Sequence, residues 1–349
     1  MNVRQHKHKL NKKIGFLTLL LMMIFFSTSD NVQANEDMLG FYIDPIFPDS
    51  QVEDSNSYFD LNIEPGEEET LEVKVRNATS DVRNIEISSH TAFTNVHGVV
   101  EYGKTDENPD SSLSHKIEEV LEVPEQIELK GNEEKIISIP LKMPKESFEG
   151  VMAGGLRVQE VSDKELEDAS EEGLAIKNKF SYVIGIVISN NRSFIEPDLT
   201  LQDVFADQLN YRNVISATIQ NYTPTFVNKL AVDAKVKRAG EEDILYKAQN
   251  EDMQMAPNSH FDFPISLEGD RFKSGDYVLD MTARSGENEW TWQEEFTIEA
   301  DTARSFNRED VTIDSGISWW VLGTVLLICV LTSLVIYLFW KNKKDKDSN

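Results

Sequence analysis

The chain has 349 residues, with 34 Lys+Arg against 61 Asp+Glu and a formal net charge of −27. That charge repels nucleic acid and anionic surfaces, so nucleic acid is not an expected partner. One cysteine, Cys329, excludes an intrachain disulfide framework, and 349 residues are enough to build two hydrophobic cores without one.

The first 13 residues carry Arg4, Lys7, Lys9, Lys12 and Lys13 and no acid. An apolar run from Ile14 to Phe26 follows, the length of a signal-peptide core and too short to span a bilayer. Val32-Gln33-Ala34 puts small residues where a signal peptidase reads, so residues 1–34 are expected to be a signal peptide cleaved after Ala34.

Residues 36–192 read as a first β-sandwich. In Leu71-Glu72-Val73-Lys74-Val75-Arg76 apolar and charged residues alternate, the mark of a strand with one buried face. Turn residues from Asn77 to Asp81 precede a second alternation at Ile85 and Ile87. Ile137, Ile139, Leu141 and Met143 repeat the pattern, and Pro140 and Pro144 place that strand near an edge or an end. The glycine-rich Gly150-Val151-Met152-Ala153-Gly154-Gly155 lacks the Lys and following helix of a phosphate cradle, so close backbone packing or a bulge is expected there.

Glu160 to Gly173 holds seven acids with Lys164 as its only base. It reads either as an interdomain linker or as a long exposed loop within a hairpin. The apolar flanks Gly150–Gln159 and Phe180–Ser189 favour the hairpin, with the joint at Ile195-Glu196-Pro197-Asp198.

Residues 193–301 read as a second β-sandwich. Tyr277, Leu279, Met281 and Ala283 line one strand face; Ser285-Gly286-Glu287-Asn288 turns the chain; Trp290, Trp292, Phe296 and Ile298 line the next. Trp290 and Trp292 share a face as i and i+2 neighbours. Facing outward they are candidate binding residues, an aromatic platform for a sugar or a protein; facing inward they are core, which Phe296 and Ile298 favour.

Residues 302–317 are polar and read as a short stalk. Ser318 to Trp340 is 23 residues without a charge. As a helix that run reaches about 35 Å, and Trp319, Trp320, Tyr337 and Trp340 sit near its ends. Lys341, Lys343, Lys344 and Lys346 follow in a basic tail of residues 341–349. The expected localisation is therefore the cell membrane by a single pass, with residues 35–317 outside facing the cell wall and the C-terminus cytoplasmic.

The motifs of catalysis are missing. His90, His97, His115 and His260 fit no metal-pair spacing, and HExxH, GxSxG and GxxxxGK[ST] do not occur. No enzyme activity, metal or cofactor is expected. Asn77-Ala78-Thr79, Asn191-Arg192-Ser193 and Asn221-Tyr222-Thr223 match the N-glycosylation pattern, which carries no meaning in a bacterial protein; the lack of cysteine in residues 35–317 fits a bacterial surface.

Several blocks carry a family resemblance. Tyr58-Phe59-Asp60-Leu61 runs on through Pro65-Gly66 to Thr70-Leu71-Glu72-Val73. Asn178-Lys179-Phe180-Ser181-Tyr182-Val183-Ile184-Gly185 and Met255-Ala256-Pro257-Asn258-Ser259-His260-Phe261-Asp262-Phe263-Pro264-Ile265 follow. The last block is Tyr277-Val278-Leu279-Asp280-Met281-Thr282-Ala283, with Trp290-Thr291-Trp292 behind it. In this order the set resembles the WxL-interacting proteins of Gram-positive bacteria. The first domain's likeness centres on about 38–160, and the second's begins near 170.

The resemblance implies an all-β fold of two immunoglobulin-like β-sandwich domains in tandem. It implies peptidoglycan as partner of the first, host extracellular-matrix proteins as partners of the second, and WxL-domain surface proteins as companions. It carries over no residue-level binding motif. Two functions follow: a binding module bridging wall, WxL protein and host, or an assembly factor for WxL surface complexes with no host ligand.

Overall fold

The computed structural model describes residues 40–52, 57–161, 180–313 and 319–346, and side chains of the last segment from Gly323 to Tyr337. The expected signal peptide and most of the acidic stretch after Glu160 lie outside the described residues.

The fold is mostly β. The first unit contains β1 (Phe41–Ile46), β2 (Phe59–Asn62), β3 (Glu68–Asn77), β4 (Arg83–Thr91), β5 (Phe93–Thr94) and β6 (Val100–Glu101). A single helical turn, α1 (Ile117–Val120), precedes β7 (Gln126–Leu129), β8 (Glu134–Lys142), β9 (Met152–Val161) and β10 (Ser181–Ser189). One sheet has the order β1-β3-β8, and the sheet facing it has the order β2-β10-β9-β4-β7. Their alternating residues meet in one core that includes Leu71, Val73, Val75, Ile85, Ile139 and Ile186. Burying these faces is what makes the alternation a strand pattern rather than an accident of composition.

β8 is an edge strand, as Pro140 demands, since proline brings no N–H to a ladder. β9 and β10 form the antiparallel hairpin, with Gly185 opposite Gly155 and Ile188 opposite Met152. Ile184, Ile186 and Ile188 of β10 are in the first core. β10 also pairs in parallel with β2, Ile186 opposite Phe59.

The second unit comprises β11 (Leu199–Leu209), β12 (Arg212–Asn221), β13 (Val227–Arg238), β14 (Ile244–Met255), β15 (Ser259–Ser266), β16 (Gly275–Ser285) and β17 (Asn288–Ile298). Its sheets have the orders β11-β12-β15 and β14-β13-β16-β17. Between them Phe261, Phe263, Ile215, Leu230, Val236 and Leu279 are fully or nearly fully buried.

The segment read as a stalk begins with a helix, α2 (Ala300–Glu309), docked on this second sandwich. Ala303 is buried and Phe306 packs on the core, 6.1 Å from the Phe272 ring. Gln208 Nε2 donates to the Phe306 carbonyl (2.8 Å), and the Asn213 amide donates to Asp310 Oδ2 (2.7 Å).

The single-pass membrane localisation is corrected. A helix, α3 (Trp319–Lys346), does cover the apolar run, but among the described residues no helix is long and apolar enough to cross a membrane.

Candidate functional site at the junction of the sandwiches

The two sandwiches meet through the β4–α1 connection. Ala92, Ala153 and Ala256 form a small apolar patch, on which Val100, Tyr102 and Phe226 pack. Backbone bonds cross beside it, from Gln254 to the Gly98 carbonyl (2.7 Å) and from Val151 to the Pro224 carbonyl (2.8 Å). Thr94 Oγ1 accepts from the Ala256 amide (3.0 Å) and shares a hydrogen bond with Ser259 Oγ (2.7 Å). Both residues are buried, and Ser259 Oγ also donates to the Ala256 carbonyl (2.8 Å), which leaves Thr94 as the donor between the two hydroxyls.

Asp110 is the polar centre of the junction. Its Oδ1 accepts from the Ser112 amide (2.8 Å), Ser112 Oγ (2.6 Å) and, across the junction, Gln220 Nε2 (2.8 Å). Its Oδ2 lies 2.8 Å from Nδ1 of His260. A carboxylate only accepts, so the Nδ1 proton of His260 is the donor and Nε2 is left to the cleft. Burial by itself would raise the Asp110 carboxyl; the bonds from Ser112, Gln220 and His260 outweigh it and hold the group below the usual carboxylate range.

Beside this centre opens a cleft of about 330 Å³. His90, Thr91 and Glu118 wall it on the first sandwich; Asn258, Ser259 and His260 wall it on the second; Gly103, Lys104 and Lys116 line its side. Glu118 is occupied: its Oε1 accepts from the Thr91 amide (2.7 Å) and its Oε2 from Thr91 Oγ1 (2.5 Å). Burial lowers the His90 imidazole, Glu118 opposes that, and Arg157 and Lys104 reinforce it. Lys104, Lys116 and Arg157 make no ion pair with an acid among the described residues. Glu107 is the remaining carboxylate on the lining.

The outward face of the five-stranded sheet adjoins the cleft at His90. His90 is opposite Gly155, which is opposite Gly185, and Tyr58 precedes the residue paired with Ile186. A Cβ on Gly155 would lie 2.5 Å from Cβ of Tyr102 and 3.1 Å from Val183 Cγ1. On the other flank, a Cβ on Gly185 would lie 3.4 Å from Cβ of Tyr58. The glycines thus let two phenol side chains settle on the strands, which is the close packing expected of this glycine-rich segment. Burial pushes the Tyr102 phenol up, and the nearby Tyr58 phenol adds to the shift. Tyr58 is 38% exposed and Val183 46%.

Trp290 and Trp292 lie elsewhere, on β17. Both are half-buried and pack against the second core. Trp290 Nε1 donates to Asp198 Oδ1 (2.8 Å), and Tyr222 donates its hydroxyl to Asp198 Oδ2. The Tyr222 bond, first, and then Trp290 hold the Asp198 carboxyl below its usual range against burial. Of the four histidines singled out, His90 and His260 share the cleft while His97 and His115 do not line it. Among the described residues no group of three His, Cys, Asp or Glu could hold a metal ion.

The junction residues were not visible in the sequence, because positions 90, 104, 116, 157 and 260 form no local motif. The one usable signal was the glycine pair, which pointed to close packing without saying what packs.

Known families and structures resemble this chain as follows. The peptidoglycan binding domain of WxL Interacting Protein matches residues 41–160. The host binding domain of WxL Interacting Protein matches residues 171–308, a span that includes β10 although β10 is hydrogen-bonded into the first unit. No curated protein sequence matches the chain. Among solved structures, the chain is similar to the E. coli chaperone DraB at 14% identity, covering 74% of this chain and 98% of that one, TM-score 0.27. The YadV chaperone is similar at 11% identity, covering 74% and 100%, TM-score 0.29. The CsuC–CsuE chaperone–tip adhesion subunit complex of Acinetobacter baumannii is similar at 13%, covering 64% and 90%, TM-score 0.29. At such TM-scores these likenesses carry no argument.

Proposed function

The chain belongs to the WxL-interacting protein family, and from that premise we propose that it is a non-enzymatic surface protein that ties peptidoglycan to a protein partner. The first sandwich takes the wall polymer. The second takes a WxL-domain protein and, beyond it, host matrix proteins. The observation that carries this reading is the pair of binding-domain matches falling in order on two sandwiches joined by hydrogen bonds. We assign residues 36–192 to the first domain and 193–301 to the second, because β10 shares the first core.

The second reading, an assembly factor for WxL complexes with no host ligand, draws support from β14. It is an edge strand, and Ile244 and Leu245 on it are 52% and 42% exposed. An open edge suits strand addition by a bacterial partner as well as by a host one.

A pull-down with the purified chain against a surface extract of the source cell, with and without isolated wall, separates these. Recovery of a WxL protein without wall supports direct protein recognition. Recovery only with wall makes the polymer the bridge. Specific binding to collagen or fibronectin favours the host arm, and binding to a WxL protein alone favours assembly. Failure to bind wall, WxL protein or matrix protein overturns the proposal.

A further inference from the structure

The tyrosine-covered sheet face and the cleft share His90, so they form one continuous surface about the β4–β9–β10 strands. Its two halves have different chemistry. On the sheet face Tyr58, Tyr102 and Val183 stand around Gly155 and Gly185, giving flat apolar area with phenol hydroxyls at its margin. That combination suits a pyranose ring, whose C–H face is apolar and whose rim is hydroxylated.

Charge sets the second half. On a chain of net charge −27 an anionic polymer is repelled least where cations gather and offset the local acids. Here the cleft's acids Asp110 and Glu118 are fixed in place by internal hydrogen bonds and stay anionic. Lys104 and Lys116 on the lining and Arg157 on the adjoining sheet face, none paired with an acid among the described residues, offset Glu107, Asp110 and Glu118, so this area is locally balanced in charge on an acidic chain. Arg157 is opposite Val183, beside the tyrosines, and Lys104 follows Tyr102 by two residues. Arg157 and Lys104 therefore lie beside the aromatic area, and Lys116 is on the cleft lining.

We propose that this surface is the peptidoglycan site of the first domain, with the tyrosine rings stacking on the amino sugars and Lys104, Lys116 and Arg157 meeting the carboxylates of the stem peptide. This rests on the peptidoglycan-binding reading of the first domain. Because Asn258, Ser259 and His260 wall the same cleft, the stem peptide touches both domains, and wall occupancy strengthens the junction.

The test titrates the full chain with a soluble disaccharide-peptide released from wall and with a neutral N-acetylglucosamine tetramer, and separately sediments it with purified peptidoglycan sacculi. Binding of the disaccharide-peptide is expected to exceed that of the tetramer by roughly tenfold. Lys104→Glu and Lys116→Glu are each expected to weaken it by about tenfold, and Tyr58→Ala by a similar factor, with thermal midpoints unchanged. Should Tyr58→Ala fail to fold, the two lysine variants, both at a solvent-facing cleft wall, decide the matter. Sedimentation of the wild type with sacculi while all folded variants bind like wild type places the site elsewhere and overturns the inference. Equal affinity for the neutral tetramer overturns the role of the cations. A wild-type chain that does not sediment with sacculi at all refutes the peptidoglycan reading itself, which is a different result.

Discussion

Asn77, Asn191 and Asn221 each accept, through the side-chain oxygen, from the backbone N–H and the hydroxyl of the residue two positions on. The distances are 2.9 and 2.8 Å at Thr79, 3.1 and 2.9 Å at Ser193, 3.2 and 2.6 Å at Thr223. Asp110 with Ser112 and Asp310 with Thr312 make the same turn. The three asparagine copies match a glycosylation pattern because the spacing that closes this turn is also the spacing of that pattern. Two of them are structural anchors. Asn77 is buried and its Nδ2 donates to the carbonyls of Asp81 (2.7 Å) and Lys130 (3.0 Å); Asn221 donates to Thr225 (2.7 Å) and Ala256 (2.8 Å). Replacing either by Ala strands buried carbonyls, so each variant is expected to lose about 2–3 kcal/mol in chemical denaturation. Asn191→Ala, at an exposed site, is expected to stay within about 0.5 kcal/mol of wild type. Trp290→Phe keeps most of the packing but loses the bond to Asp198, an expected cost of about 1 kcal/mol in the same measurement. Asp110 gives a pH signature. Its folded pKa is lowered from an unfolded value of about 3.9, so its stabilisation is complete above that pH and is lost as pH falls through the folded value. Thermal scans across that acidic range are expected to show a steeper loss in wild type than in Asp110→Asn; parallel profiles would remove Asp110 from the joint.

At the scale of elements, the proposed end of the first domain rests on β10. It is central in its sheet, between β2 and β9. A fragment of residues 36–192 is therefore expected to unfold cooperatively, and one of residues 36–160 to lack that transition, by calorimetry. Cooperative unfolding of the shorter fragment would move the boundary to the acidic stretch. The β elements were readable in the sequence because burial of one sheet face writes period two into the chain, as at Leu71–Arg76 and Tyr277–Ala283. The hairpin was readable from two apolar flanks. The docked helix α2 was not: its buried contacts are Ala303 and Phe306, a single i,i+3 pair within a polar segment, too little to show a helical stripe. The site was the least readable part. Tyr58 and Tyr102 meet over glycines only because β2 pairs in parallel with β10, a long-range pairing that no local pattern encodes.

For the whole molecule, the central point is that two binding sandwiches share a satisfied polar joint with an open cleft beside it. The strong negative charge keeps the surface hydrated and repels polyanions, least where Lys104, Lys116 and Arg157 offset the local acids. On the proposed reading, wall binding is local and salt-sensitive, and it leaves the rest of the chain free for a protein partner. The most direct measurement is co-sedimentation of the full chain with purified peptidoglycan sacculi over a series of salt concentrations. The account predicts saturable co-sedimentation that weakens as salt rises, since screening weakens the attraction between the bordering lysines and the wall's carboxylates. A chain that remains in the supernatant at every salt concentration would contradict it.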